Sequence, residues 1–236
     1  MMPPYQVPLA IDRPLQQTLD NFVVGANEEL LRQLTQPHNH FSGIWIAGQP
    51  QSGKSHLLRG CALALTEAGT PTTYVDGGNV DGGQGLAKGM RSLEHAVAHN
   101  LPVCIDNIAG FAGHQEAEEL LLASYQQALQ AQSLFVVSHL VAAVGVDFNL
   151  ADLNSRVRSL LHYALLPLND QDKAELLRAR ADRRGYKINQ AVLDYWLARA
   201  PRDTGTLLTD LDVLDRATLA RKQTVTIPLL KQVLGY

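Results

Sequence analysis

The segment GQPQSGKS, which runs from Gly48 to Ser55, combines residue types and a spacing that bind phosphate groups. It matches the pattern G-x-x-x-x-G-K-[ST] at every fixed position and lies between an apolar run and a helical pattern, the context that this motif requires. Glycines let backbone N–H groups converge on phosphate oxygens, Lys54 supplies a positive charge, and the hydroxyl of Ser55 can bind Mg²⁺. The predicted nucleotide-binding residues of this segment are Gly48, Gln49, Pro50, Gln51, Ser52, Gly53, Lys54, Ser55 and His56.

A carboxylate that can serve the same nucleotide follows a second apolar run, LPVCID. Asp106 ends this run, where a carboxylate can hold the Mg²⁺ shell, so Ser55 and Asp106 are the predicted metal ligands, acting through nucleotide-bound Mg²⁺. The next residue is Asn107, where many P-loop ATPases place a second acid. An amide can orient water but cannot accept its proton. We therefore include Asp106 and Asn107 in the predicted site and expect weak or no intrinsic ATP hydrolysis.

Alternating strand and helix patterns predict the α/β fold that positions both segments. Apolar runs predict strands at residues 43–47, 72–75, 101–106, 133–138 and from residue 162 onward. Strands that alternate with helices imply a parallel sheet with right-handed crossovers and flanking helices. We expect Asn27 to be the N-cap of a helix and the glycine-rich stretch DGGNVDGGQGLAKG to be a loop. Another helix should place Leu121, Tyr125 and Leu129 on one apolar face.

Three stretches of different composition predict the organisation of the chain. Residues 1–18 carry several prolines with little periodicity and predict a flexible N-terminal tail. Residues 19–167 form the predicted P-loop α/β domain. After Pro167, three helical patterns predict an all-helical C-terminal lid over residues 168–236. The apolar positions of these patterns are Ala174, Leu177 and Ala181, then Val192, Trp196 and Leu197, then Leu207, Leu211 and Leu214.

The composition narrows the classes of function. A formal net charge of −3 supplies no general attraction to nucleic-acid phosphates. The N-terminus lacks the basic and apolar regions of a secretory signal, and no apolar run has the length of a membrane span, so we expect a cytoplasmic protein without a membrane partner. Cys61 and Cys104 lie among apolar residues and are predicted to be buried thiols. His95 and His99 share a helix face without a third ligand, which favours a solvated face over a metal site.

Several segments resemble a known family. The segment LDNFVVGANEELL resembles the entry segment of the AAA+ domain of the bacterial replication initiator DnaA, and IWIAGQPQSGKSHLL resembles its P-loop strand and helix. The segments VCIDNIAGFAG and LDVLDRATLARKQTVTIPLLKQVL resemble the DnaA-related Hda family, whose members promote inactivation of DnaA. The likeness runs from Leu19 to the C-terminus. It implies a P-loop AAA+ module with a helical lid, an adenine nucleotide, ADP in preference to ATP, and negative regulation of DNA replication.

The resemblance also implies roles for residues outside the P-loop. The segment NLADLNSRVRSL is similar to the one that carries the family's arginine finger, which places the catalytic arginine, acting in trans on ATP bound to DnaA, at Arg156. The segment QVPLAI is similar to the motif that docks on the DNA polymerase III sliding clamp, with Gln6, Leu9 and Ile11 as the contacting residues. DnaA, the clamp and, through the clamp, DNA are the implied partners, and a homo-oligomer stays open. Because the chain ends after the lid, we expect no counterpart of the origin-binding domain of DnaA.

Two positions depart from the family pattern. The sensor arginine of the lid aligns with the segment RDTGTLL, where the matching residue is Gly205, and Arg202 is the nearby candidate to replace it. The polar sensor after the fourth strand aligns with Ser138 and His139, where relatives tend to have an acid. We therefore expect nucleotide sensing to differ from that of DnaA.

Two other functions compete with a regulatory AAA+ protein. A helicase-loader-like AAA+ ATPase needs effective hydrolysis of its own, which the amide of Asn107 disfavours. A P-loop small-molecule kinase needs an acceptor pocket and charged lid residues over the phosphates, whereas this chain devotes its last part to a helical lid.

Overall fold

Five apolar runs of the chain pair into a parallel β-sheet. The strands are β1 (Ser42–Ala47), β2 (Thr73–Asp76), β3 (Val103–Asp106), β4 (Leu134–His139) and β5 (Leu161–Ala164). The computed structural model describes residues 17–36, 39–78, 84–221 and 224–236, and within them the strand order is β2-β3-β4-β1-β5. Every neighbouring pair is parallel, so the predicted strands and the predicted parallel sheet are confirmed.

Helices cover both faces of this sheet. In chain order they are α1 (Glu28–Thr35), α2 (Lys54–Glu67), α3 (Gln84–His99), α4 (Gln115–Gln130) and α5 (Ala151–Arg158). Ile44 and Ile46 pack with α1 and α2 on one face, whereas Trp45 between them packs with α3, α4 and α5 on the other. Successive side chains of a strand point to opposite faces, so β1 contributes side chains to the core on each face of the sheet. A sheet buried on both faces is the usual form of parallel sheets.

The indole of Trp45 fastens the loop that follows β4. Its side chain is fully buried, and its N–H donates a hydrogen bond to the carbonyl oxygen of Val141 at 3.0 Å. The indole also stacks on the imidazole of His162 in β5, with 6.0 Å between the ring centroids. Because a buried N–H without a partner is costly, this bond fixes the backbone beside the ends of β1 and β4.

The strand order brings the polar residues to one edge of the sheet. β4 lies between β1 and β3, with Ala47 opposite His139 and Ile105 opposite Val137. Since all strands run in the same direction, the end of β1, which leads into the phosphate loop, and the end of β3, which carries Asp106, meet at the same edge. Parallel sheets bind ligands at this carboxyl edge.

The C-terminal part is helical, as predicted, but it contains one helix more than expected. Within the described residues its helices are α6 (Asp170–Arg183), α7 (Gln190–Leu197), α8 (Thr204–Arg221) and α9 (Ile227–Leu234). They enclose a core of their own, in which Leu177, Trp196 and Leu211 are fully buried. The helix that the sequence analysis did not predict is α9. It is only two turns long, yet it has a capping signal, since the Thr226 hydroxyl accepts the N–H of Leu229 at 3.3 Å.

Two local predictions were wrong. The second half of the glycine-rich stretch, from Gln84 onward, is the first part of α3 and not a loop. Gly89 lies inside this helix, and a Cβ at this position would stand 2.8 Å from a ring carbon of Phe111. The glycine therefore allows the helix to pack closely against Phe111. Leu129 does not share the buried face of Leu121 and Tyr125, because it is 43% exposed near the end of α4.

Asn27 lies at the predicted start of a helix, but its side chain does not cap that helix. Its side chain makes no capping hydrogen bond to α1. Instead the side-chain oxygen accepts the N–H of Leu166 at 2.7 Å, while the amide nitrogen donates to the carbonyl oxygens of Leu166 at 3.1 Å and Val24 at 2.9 Å. Asn27 therefore ties the start of α1 to the chain that leaves β5 for the C-terminal helices.

Two expectations from the composition concern thiols and membranes. Cys61 of α2 and Cys104 of β3 are buried free thiols, as predicted, and the Cys61 thiol donates to the carbonyl oxygen of Leu34 at 3.5 Å. Among the helices in the described ranges, none joins the length and the apolar character that a bilayer crossing demands.

We predict that Asn27→Ala lowers the free energy of unfolding by about 1 to 3 kcal/mol, because the buried Asn27 side chain supplies partners to the part-buried N–H and carbonyl groups of Leu166. Urea unfolding monitored by circular dichroism measures this change. Gln33→Ala is the control, since it removes only side-chain hydrogen bonds on the surface of α1, one to Glu29 and one from Gln36, and we expect a change within about 0.5 kcal/mol. Equal effects of the two substitutions would contradict the role given to Asn27.

Candidate nucleotide-binding site

The loop from Gly48 to Gly53 joins β1 to α2 in a tight cradle. Gly53 has φ +101° and Gln51 has φ 60°, both in the left-handed region that glycine adopts most readily. A Cβ on Gly48 would lie 2.8 Å from the Ser52 hydroxyl oxygen, so this turn leaves no room for a side chain. The loop ends at the N-terminus of α2, whose free N–H groups and dipole favour anions.

The ammonium group of Lys54 lies inside this cradle. Its Nζ donates hydrogen bonds to the carbonyl oxygens of Gly48 and Gln49, both at 2.7 Å. Burial lowers the pKa of Lys54, and the negative charge of Asp106 acts in the opposite direction. The lysine is therefore folded back on the loop, at the place where a phosphate group can replace the two carbonyl oxygens.

A cavity of about 580 Å³ brings the two predicted segments together. Lys54 and Ser55 line it from the loop side, and Asp106 and Asn107 line it from the end of β3. The structure thus places the two predicted Mg²⁺ ligands, a hydroxyl and a carboxylate, around one opening. Oxygen atoms of this kind are the ligands that Mg²⁺ prefers, so the residues fit this ion.

The carboxylate of Asp106 is nearly buried and held at both oxygens. The Ser138 hydroxyl donates to Oδ1 at 2.7 Å, and the Tyr74 hydroxyl donates to Oδ2 at 3.0 Å. Burial, followed by the charge of Asp106, raises the pKa of Tyr74, which keeps its hydroxyl protonated as a donor. The guanidinium of Arg59 lies over the Tyr74 ring, 4.8 Å from its centroid. Sequence reasoning missed Tyr74, although its position near the end of a strand was the available signal.

Asn107 and His139 interact beside this carboxylate. Asn107 has φ 55°, and its backbone N–H donates to the Ser138 hydroxyl oxygen at 3.1 Å. The Oδ1 atom of Asn107 is 2.8 Å from Nδ1 of His139, so this ring nitrogen is the donor. Burial and then the charge of Lys54 lower the pKa of His139, which favours the neutral ring. His139 and Asn107 thus form a hydrogen-bonded pair at the two positions where the sequence analysis noted an acid in relatives.

A second cavity, of about 380 Å³, lies between the loop and the C-terminal helices. Its apolar side includes Phe22, Leu166 and Leu208, and its polar side includes Lys54 and Ser55. An apolar pocket beside a phosphate cradle suits a ligand that has an aromatic base at one end and phosphate groups at the other.

His56 closes one end of this second cavity. Its Nε2 donates to the carbonyl oxygen of Thr18 at 2.9 Å, and its ring meets the Phe22 ring edge-on at 5.4 Å. Burial is the main cause that lowers the pKa of His56. A Cβ on Gly60 would lie 2.9 Å from the Leu19 backbone nitrogen, so this glycine allows the segment from Thr18 to pass directly over α2.

At Gly205, the lid position where the resemblance expects an arginine, the neighbouring space is occupied by a side chain of the phosphate loop. A Cβ on Gly205 would lie only 1.5 Å from Oε1 of Gln51, so the Gln51 side chain occupies the space next to Gly205. Arg202, the predicted replacement, is exposed and is not among the residues that line the second cavity. The cavity is lined instead by Arg180 of α6, which sequence reasoning did not identify.

Arg156 lies away from both cavities. It is 44% exposed on α5, with its Nε 3.2 Å from Oδ1 of Asp152 and its guanidinium 5.9 Å from the centroid of the Tyr125 ring. Arg158 on the same helix pairs with Asp147 at 3.2 Å. The structure therefore does not bring Arg156 together with the loop of its own chain.

The remaining predicted residues are placed as follows. Gln6, Leu9 and Ile11 lie outside the described residues. His95 and His99 are exposed on α3 with their ring centroids 4.3 Å apart. Across the ranges that the structure describes, no three or more His, Cys, Asp or Glu side chains are grouped so that they could hold a metal ion.

Comparisons with known proteins identify the fold. Residues 170–234 match the family model for the lid domain of Hda. The chain is similar to domain III of the replication initiation protein DnaA from Thermotoga maritima, with a TM-score of 0.75 and 18% identity over 97% of this chain and 98% of that one. It is also similar to AMPPCP-bound DnaA from Aquifex aeolicus, with a TM-score of 0.69 and 14% identity over 89% of this chain and 68% of that one.

A variant of RuvB from Thermotoga maritima is a further structural neighbour, with a TM-score of 0.60 and 14% identity over 82% of this chain and 61% of that one. These likenesses establish an AAA+ fold with a C-terminal helical lid, as the sequence predicted. The C-terminal part is thus similar to the lid domain of Hda, and the fold of the chain is similar to that of domain III of DnaA.

We predict that Tyr74→Phe lowers the free energy of unfolding by about 1 to 3 kcal/mol, because Asp106 loses one of its two hydroxyl donors in a nearly buried position. Urea unfolding at pH 7 measures the loss. Tyr163→Phe is the matched control, because the hydroxyl of this β5 tyrosine makes no hydrogen bond to the residues described, and its removal should change stability by less than about 0.5 kcal/mol. A Tyr74→Phe variant as stable as the control would show that the hydroxyl does not hold the carboxylate.

Proposed function

We propose that this chain is an Hda-type regulatory AAA+ protein that is tethered to the DNA sliding clamp and stimulates hydrolysis of ATP bound to DnaA. In this way it would restrain the initiation of DNA replication. The observation that carries the proposal is the position of Arg156, which is exposed on α5 and lies outside the cavities of its own P-loop. An arginine so placed is available to the nucleotide of a neighbouring molecule.

The resident ligand in this proposal is an adenine nucleotide, ADP in preference to ATP, with Mg²⁺. The loop from Gly48 to His56 holds the phosphates, and the apolar side of the second cavity receives the base. Ser55 and Asp106 hold the magnesium shell, and each oxygen of the Asp106 carboxylate has lone pairs beyond the one that accepts a hydroxyl. When bound, the ion neutralises phosphate charge. The DnaA neighbour that carries AMPPCP supports an adenine ligand for this fold.

The chain's own site is suited to holding a nucleotide more than to hydrolysing it. The Oδ1 atom of Asn107 already accepts a hydrogen bond from His139, and an amide cannot take a proton from water. No lid arginine is available at Gly205. We therefore propose that the bound nucleotide sets the conformation of this protein, while the ATP that is hydrolysed belongs to DnaA.

The helix that carries Arg156 is held firmly at its start. The fully buried carboxylate of Glu118 accepts the N–H of Gly113 at 2.8 Å and the N–H of Leu150, just before α5, at 2.9 Å. By contrast, the pair between Arg156 and Asp152 is exposed, and exposed pairs contribute little. The guanidinium can therefore leave Asp152 for a phosphate group without a large loss, while the helix keeps its place.

The tail carries the proposed tether. Gln6, Leu9 and Ile11 are the proposed contacts with the clamp, and the clamp provides the indirect link to DNA. The described chain enters the fold beside the P-loop, since the carbonyl of Thr18 binds His56. We propose a tail at residues 1–18, an AAA+ α/β domain at 19–167 and a lid at 168–236, in a cytoplasmic protein.

We predict that Lys54→Ala abolishes nucleotide-dependent stabilisation. ADP with Mg²⁺ at about 100 times its Kd should raise the free energy of unfolding of the wild-type chain by roughly 2.7 kcal/mol, and the variant should gain nothing. Thermal unfolding with and without ADP measures the gain within each protein, so any change in basal stability cancels. Lys88→Ala, an exposed lysine of α3, is the control and should keep the full gain. An equal gain in Lys54→Ala would refute the P-loop site.

We predict that Arg156→Ala loses the stimulation of DnaA-bound ATP hydrolysis, since an arginine supplied in trans contributes roughly 10³ to 10⁵ in rate. Arg156→Lys should not restore it, because an ammonium lacks the planar fork of guanidinium. The assay follows DnaA-bound ATP in the presence of clamp loaded on DNA.

Arg158→Ala is the matched control for that assay, because it removes a neighbouring arginine of α5 and should leave stimulation intact. Deletion of residues 1–12 tests the tether in the same assay and should abolish stimulation without lowering the melting temperature. Full stimulation by Arg156→Ala would show that another residue acts, with Arg158 the nearest candidate, or that this protein does not complete the DnaA site.

A further inference from the structure

The N-terminus of α8 offers no cation to the nucleotide cavity. At Gly205 there is no side chain, and the Gln51 side chain fills the space where one would begin. Arg202, three residues earlier, is exposed and does not line the cavity. A cation that reaches the phosphates from the lid must therefore come from another helix.

Arg180 of α6 occupies a suitable place. Its half-buried side chain lines the cavity together with Gly53, Lys54 and Ser55 of the phosphate loop. Its charge also acts on the first turn of α2, because after burial the nearby cations Arg180 and Arg183 help to lower the pKa of His56. The guanidinium thus lies on the lid side of the same opening that the P-loop borders from below.

Two of the arginines near Arg180 are already engaged, and a third, Arg183, is exposed. Arg184 pairs with Asp212 at 2.5 Å and with Asp215 at 3.5 Å, and Arg178 donates to Gln190 on the other side of α6. Within the described residues, Arg180 makes neither a hydrogen bond nor an ion pair, and the charge of Asp212 only acts on it from a distance. Burial and then the charge of Arg184 lower the pKa of Arg180. A half-buried guanidinium without an anion is costly, which indicates a ligand of opposite charge.

We propose that Arg180 is a nucleotide-binding residue that contacts the phosphate groups from α6 and replaces the missing lid arginine at Gly205. This inference rests on the nucleotide site proposed above. Its consequence is a contact between the lid and the phosphates that comes from α6 and not from α8. Because Arg184 joins α6 to α8 through Asp212, the position of α6 over the phosphates sets the position of both lid helices.

Titration calorimetry of the full chain with ADP, with Mg²⁺, and with adenosine tests the proposal. Arg180→Ala should weaken ADP binding by roughly 10- to 100-fold, the worth of a charge-assisted hydrogen bond, and should change adenosine binding by less than about threefold. Arg180→Gln, which keeps most of the side chain's packing, should show the same selective loss, and Arg180→Lys should recover part of it. Arg178→Ala is the matched control on the same helix and should bind ADP as the wild type does.

The outcomes separate this inference from the nucleotide site itself. If wild-type protein binds ADP and Lys54→Ala does not, while the Arg180 variants bind ADP normally, Arg180 plays no part and the P-loop site stands. If the Arg180 variants lose adenosine and ADP affinity equally, the residue supports the shape of the cavity and the proposed phosphate contact is wrong. If the wild-type chain binds no ADP, both proposals fail together.

Discussion

The hydroxyl of Ser138 is the contact on which the arrangement of the site depends. It donates to the carboxylate of Asp106 and accepts the backbone N–H of Asn107, so one small side chain at the end of β4 fixes both residues that follow the core of β3. β4 also pairs with β1, whose end begins the phosphate loop. Because Asp106 is nearly buried, its carboxylate requires these hydrogen-bond donors. The bonds from Ser138 to Asp106 and Asn107 therefore also hold the ends of β3 and β4 together.

Much of this arrangement could be predicted from the sequence, because its signals are local. Apolar runs of four to six residues defined the strands, and parallel pairing then placed the loop from Gly48 to Ser55 beside Asp106. The P-loop pattern also carries its own conformation, since Gly48 and Gly53 stand where a side chain would collide or strain the backbone. Asn27 was located correctly as a helix start, although its side chain turned out to bind Leu166.

What the sequence could not supply are contacts between distant segments. No local pattern links Tyr74 to Asp106, or Gln51 to Gly205, because each pair meets only after strands or domains have packed. The same holds for Arg180, which lies on a helix with several arginines and is distinguished only by the cavity it faces. The errors at Gln84 and in α9 had another cause. Glycine near a helix start is also typical of loops, and a helix of two turns gives little periodicity.

The division of the molecule into an α/β domain and a helical lid has an optical consequence. The chain contains two tryptophans, and both are fully buried, Trp45 in the sheet beside the phosphate loop and Trp196 in the core of the lid. The α/β domain and the lid therefore contain one tryptophan each. Tryptophan emission from a chain that retains only one of them reports the solvent exposure of one of these parts alone, so melting of the lid and melting of the sheet become separately visible without any added label.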